Sequence, residues 1–174
     1  MIIIKNNIVK VVIPNFITHI EKTNNKFAPN KFIKVNNQHI YNSNLNRFAR
    51  NIVIGNMQQY ILDNIDKPFI LSKFPYQISL DFYVPVNYGS VSRRFIKSED
   101  DYKIIWKEPK KEYEPNWDVG NYGDIWLKIF ADALQIGNYI KNDNIKYVQS
   151  IGPTTFYEVK SITNRKLEFT IKPI

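Results

Sequence analysis

Two hydrophobic periods alternate along the chain. Residues 8–13, IVKVVI, are a β-branched run that predicts a strand, closed by Pro14 and Asn15. In YQISLDFYVPV, 76–86, Ile78, Leu80, Phe82 and Val84 point one way, and Ser79, Asp81 and Tyr83 the other. That is the period of a half-buried strand, with Pro85 at its end or on an edge. Between these stretches, Leu45, Phe48, Ala49, Ile52, Met57, Tyr60, Ile61 and Ile65 recur at helical spacing. Ser43 is the expected N-cap and Pro68 the stop. A second helix is predicted over 123–136, with Gly137 as the residue just past its end. At about 100° per residue, Asp124, Lys128, Asp132 and Gln135 share one narrow stripe of it, opposite Ile125, Trp126, Ile129, Phe130, Ala133 and Leu134.

The remaining stretches complete the order. Residues 145–151, 154–162 and 166–172 read as strands, the last two joined as a hairpin through TNR. Residues 21–44 are polar, basic and irregular, a long loop with a short strand at 32–35. Loops of that length are uncommon unless functional or mobile. Residues 87–116 carry dense charge of both signs and interleaved aromatics, an excursion from the core with a hairpin around YKIIWK. The sequence predicts an α+β fold in a single domain, 1–174: a mixed β-sheet packed by two main helices, with 87–116 as a charged inserted excursion.

Composition narrows the function classes. With 44% apolar and 14% aromatic residues, the chain is globular rather than disordered. It has no cysteine, so disulfide scaffolds and thiolate zinc sites are excluded, and a reducing cytoplasm is the default compartment. Lys5 and Lys10 interrupt the apolar N-terminus, which lacks the order of a signal peptide. No apolar run approaches the roughly 18 residues of a membrane span, so no membrane partner is expected. The net charge of +8, from 24 Lys+Arg against 16 Asp+Glu, favours a polyanionic partner through phosphate neutralisation. His19 and His39 stand alone, with no nucleophile at motif spacing, and neither a Gly-rich phosphate loop nor a nucleophile elbow is present.

Against that basic background, residues 117–144 gather four aspartates: Asp118, Asp124, Asp132 and Asp143. Two readings stand. One is an exposed i,i+4 charge ladder on a solvated helix face. The other is a hard-cation site. Magnesium takes one or two carboxylates plus water and leaves room for phosphate oxygens, and Asp is a poorer helix-interior residue than Glu. Carboxylates from a helix start and a following loop would suit that site, and a neighbouring lysine would stabilise charge developing on a phosphate.

The stretch GDIWLKIFADALQIGNYIKNDN resembles the RusA-type Holliday-junction resolvases. Lys128 lies four residues after Asp124, Asp132-Ala133-Leu134 begins four after Lys128, and Asp143 lies eleven after Asp132. The resemblance implies that Asp118, Asp124 and Asp143 ligate Mg²⁺, that Lys128 is the catalytic lysine, and that a metal-activated water attacks a phosphodiester of branched DNA. Asp132 would orient Lys128 through an i,i+4 contact. The chain departs from the family's Asp-x-Asp-Asn pattern at Tyr122 and Ile125. In a second register, Asp118-Val119-Gly120-Asn121 takes the pattern's place, with Gly120 at an acid position.

The resemblance further implies a homodimer gripping a four-way junction in recombination or repair, in the cytoplasm of a bacterial host cell. Lys22, Lys26, Lys31 and Lys34 in the first loop, Arg47 and Arg50 on the first helix, and Arg93, Arg94 and Lys97 in the excursion are the candidate phosphate contacts. Phe27, Phe32 and Phe95 are candidates to stack on opened bases. Each has an ordinary alternative, as a solvated charge or a packed aromatic. The departures keep a second function open: a catalytically inactive RusA-like DNA-binding or structural protein of a phage or plasmid.

Overall fold

The computed structural model describes residues 1–16, 19–22, 31–34, 40–41, 47–71, 74–85, 89–96, 102–110, 119–160 and 162–174. In chain order the elements are β1 (Ile2–Lys5), β2 (Ile8–Pro14), β3 (His19–Lys22), β4 (Lys31–Lys34), α1 (Arg47–Asp63), β5 (Tyr76–Pro85), β6 (Gly89–Ile96), β7 (Tyr102–Lys110), α2 (Val119–Ile136), β8 (Val148–Val159) and β9 (Lys166–Pro173). The fold is α+β, as the sequence predicts. A five-stranded sheet runs β1-β2-β9-β5-β8, and its β5–β8 pair is parallel while the other neighbours are antiparallel.

The sequence reading omits β1. It is built by Asn6 and Asn7, which turn the chain at φ values of 52° and 64°. Asparagine tolerates that left-handed region, and two such residues make the tight turn that a two-residue hairpin needs. The expected hairpin between the last two strands is not formed. β5 lies between β8 and β9, and a 3₁₀ turn, Ile162–Asn164, carries the chain past it. The two strands expected at 145–151 and 154–162 are one strand, β8. Its register against β5 shifts between Ile78 and Leu80, opposite Gly152 at φ 108°.

A smaller sheet, β4-β3-β7-β6, takes strands from both irregular stretches. Within 87–116, β6 pairs with β7, with Phe95 opposite Ile105, and the short strand expected at 32–35 is Lys31–Lys34. Ser43, Leu45, His39 and Trp117 lie outside the described residues.

Both helices pack on one face of the large sheet. On α2, Ile125, Trp126, Ile129, Phe130, Ala133 and Leu134 are all buried, as the stripe predicts. Phe130 stacks on Phe169 of β9 with ring centroids 4.0 Å apart. The alternating residues of β5 supply Ile78, Leu80, Phe82 and Val84, and Phe16 meets Phe82 edge-on at 4.9 Å. Each such side chain contributes about 1.5–3 kcal/mol by leaving water. On α1 the buried positions are Val53, Met57 and Ile61, spaced by four. Phe48, expected on that face, is 72% exposed.

Two glycines set how closely α2 approaches its neighbours. A Cβ on Gly123 would sit 2.6 Å from the Thr154 Cγ2 of β8, and one on Gly137 would sit 2.9 Å from the Leu62 Cδ2 of α1. Gly137 is therefore present for contact, not for a left-handed turn. The left-handed residue past α2 is Asn138, at φ 60°. The amide of Asn138 donates to Gln135 O and that of Tyr139 to Leu134 O, the paired bonds of a Schellman end. This end directs the chain back toward the polar stripe of α2.

Candidate functional site

The polar stripe of α2 is unevenly exposed, and Gln135 at its end is exposed. Asp124 and Lys128 are exposed, and Asp132 is half-buried. Past the Schellman end, the chain turns through Lys141–Lys146. The Asn142 side-chain oxygen accepts from the Asn144 amide at 2.9 Å, and the Asn144 oxygen accepts from the Lys146 amide at 3.1 Å. These consecutive Asx turns fix the backbone on both sides of Asp143. The sequence carries their signal as Asn142-Asp143-Asn144, an acid flanked by two Asx-turn formers.

The turn returns the Asp143 charge to Asp132. Burial pushes the Asp132 carboxyl above its ordinary value, and the Asp143 carboxylate pushes it further. Lys128 and the Gln58 side chain of α1 oppose that shift. Lys128, Asp132 and Asp143 thus form one electrostatic group. Asp124, eight residues before Asp132, lies two turns down the helix, roughly 12 Å along its axis.

The expected i,i+4 contact between Asp132 and Lys128 is not an ion pair. Among the described residues the ion pairs lie elsewhere, and Lys128 joins neither Asp124 nor Asp132. Its ammonium lies instead over the Tyr41 ring, 5.2 Å from the centroid. The Arg50 guanidinium sits 5.8 Å from the same centroid, and donates to Ile40 O at 3.1 Å and Tyr41 O at 3.2 Å. Tyr41 and Gln58 were not legible as site residues, because no spacing ties them to the α2 motif.

Asp118 lies outside the described residues, one position before α2. Among the described residues, no three His, Cys, Asp or Glu side chains gather as a metal cage. Asp132 and Asp143 do suit a hard cation by their chemistry. They are two carboxylates, one half-buried, whose mutual repulsion a dication relieves, and magnesium commonly takes no more protein ligands than that. Ile125, where the family pattern has an amide, is buried in the core at 1% exposure.

The basic candidates divide by element. Arg47 is exposed at the start of α1, while Arg50 is half-buried and holds the backbone at 40–41. Lys22 and Lys31 are direct cross-strand partners in β3 and β4, and Lys34 pairs with His19. Arg93 and Arg94 lie on β6, opposite Lys107 and Trp106 of β7. Five of the candidates therefore fall in the smaller sheet. Lys26, Lys97 and Phe27 lie outside the described residues.

A second polar cluster occupies the face of the large sheet away from the helices. Burial alone would raise the Glu168 carboxyl, but hydrogen bonds from Lys10 and Lys166 outweigh it and hold the group below its ordinary value. The hydrogen bond to Glu168 raises Lys10, and burial raises Asp81 and Tyr83. Lys166 also lies 4.2 Å over the Tyr83 ring, which stacks on Tyr157 at 5.0 Å.

Among the described residues no helix is long and apolar enough to cross a membrane. No protein-family model, curated protein or solved structure matches the chain.

Proposed function

We propose that this chain is a RusA-type, magnesium-dependent, structure-selective endonuclease acting on branched DNA. The observation that carries the reading is the grouping of Lys128, Asp132 and Asp143. Three residues of the motif, from a helix and the turn that follows it, meet near the end of α2, where the Asp143 and Lys128 charges both act on the Asp132 carboxyl. Asp143 belongs both to the ligand set implied by the resemblance and to this group. Asp143 with Asp132 would hold the ion, while Asp124, two helical turns away, would stand outside its coordination shell, and Asp118 is the further carboxylate that the motif assigns. Bound there, magnesium would supply Lewis acidity toward a phosphodiester.

The chain's own residues do the rest. Lys128 presents an ammonium, exposed and without an ion-pair partner among the described residues, to charge building on the phosphate. Arg47 and the lysines and arginines of the smaller sheet follow the backbone of a junction without reading its bases. A homodimer would bring two such sites to opposite strands, in recombination or repair in a bacterial cytoplasm. The test is cleavage of a synthetic four-way junction with and without magnesium. Asp143→Asn should lose cleavage while keeping junction binding.

One observation favours a second reading, a DNA-binding relative without catalysis. Ile125 points into the core where the motif has an amide. That reading expects tight junction binding with no magnesium-dependent cutting.

A further inference from the structure

We infer that Tyr41 is a positioning residue for Lys128: its ring holds the ammonium where a DNA phosphate can reach it, and Arg50 holds the ring. The inference rests on the reading of Lys128 as a phosphate-contacting residue.

Lys128 has an aspartate four residues away on each side, the spacing at which a helical lysine ordinarily finds an ion-pair partner. It pairs with neither, and its ammonium sits over Tyr41 instead. The difference matters chemically. An ion pair would occupy the ammonium's donors and cancel its charge. A ring face attracts the cation while leaving its N–H groups able to donate to an incoming anion.

A ring can orient a flexible lysine only if the ring itself is fixed. Ile40, next to it, is fully buried and anchors the segment in the core. Arg50 reaches back ten residues to the carbonyl of Ile40 and nine to that of Tyr41, and lays its guanidinium over the same ring. A fixed arginine thus sets the backbone, the backbone sets the ring, and the ring sets the lysine. Both cations lie inside the roughly 6 Å that such a contact allows.

The test is a double-mutant cycle on the full chain with a synthetic four-way junction, backed by NMR of the lysine side chains. In the wild type, the Lys128 ε-methylene protons should resonate upfield of the other lysines through the Tyr41 ring current. Tyr41→Leu should abolish that shift and weaken junction binding by roughly three- to tenfold, and Tyr41→Phe should restore both. In a Lys128→Met background, Tyr41→Leu should change binding little, because its effect passes through the lysine. Equal losses in both backgrounds would reveal a merely structural tyrosine and overturn the inference. So would a wild-type Lys128 without the ring-current shift, whatever the DNA result. A wild type that shows the shift but binds no junction would overturn the proposed function, and the role of Tyr41 with it.

Discussion

Glu168 of β9 receives a hydrogen bond from Lys10 of β2, across the face of the sheet that the helices leave uncovered. The two are diagonal neighbours, since Lys10 pairs with Thr170 and Glu168 with Val12. Lys166, two residues before Glu168 on the same strand, donates to the other carboxylate oxygen at 3.1 Å. Glu168 itself is only 8% exposed. A carboxylate this covered is tolerable because two ammonium groups satisfy it. Glu168→Ala should therefore leave two crowded lysines and destabilise the fold by about 1–3 kcal/mol. Chemical denaturation measures it, and a change under a few tenths of a kcal/mol would mean that the cluster is solvated and neutral.

Acid should act on Glu168 and on the two raised aspartates, Asp132 on α2 and Asp81 in this same cluster, with opposite signs. Glu168 is held below its ordinary value of 4.5, so its contribution to stability is fully present above that pH and is lost as pH falls through the folded value. Asp132 and Asp81 are raised above 3.8, so their terms favour the fold below that pH and are lost as pH rises through their folded values. Glu168→Gln should flatten the loss of stability below pH 4.5. Asp132→Asn should stabilise the protein at neutral pH and change little below pH 3.8. Denaturant midpoints across that range decide both signs.

Gly123 allows α2 to lie against β8, because a Cβ there would meet three Thr154 atoms at 2.6, 2.7 and 2.9 Å. Gly123→Ala should cost about 1–3 kcal/mol through overpacking. Adding Thr154→Ala, which removes two of the three clashing atoms, should recover part of the loss. Additive losses in the double variant would contradict the contact.

The face of α1 is testable by contrast. Met57→Ala, at a fully buried position, should cost about 2–5 kcal/mol. Phe48→Ser, at a 72% exposed one, should stay within about 0.5 kcal/mol. Reversed magnitudes would place the helix in another rotation.

The parts of the fold that were legible are those set by local period. The alternation in β5 and the six-residue apolar stripe of α2 name their buried residues directly, because one face of each meets the same core. Phe48 misled because helical spacing alone does not say where a helix leaves its sheet. The pairing of β8 was not legible: a strand near β9 in sequence is its hairpin partner by default, and only the tertiary insertion of β5 decides otherwise. In the site, Lys128, Asp132 and Asp143 stand at spacings that a helix and a short turn set, while Asp118 lies outside the described residues and Asp124 lies two turns from Asp132. Tyr41, Arg50 and Gln58 reach the same place from across the chain, which no single-sequence pattern records.

Cutting of a four-way DNA junction by purified protein and by Asp143→Asn, with and without magnesium, tests the central claim most directly. The account predicts magnesium-dependent cleavage by the wild type, a loss of roughly 100-fold or more in the variant, about 3 kcal/mol of barrier, and junction binding retained by both. A variant that cuts at the wild-type rate, or a wild type that binds junctions and never cuts them, would contradict it.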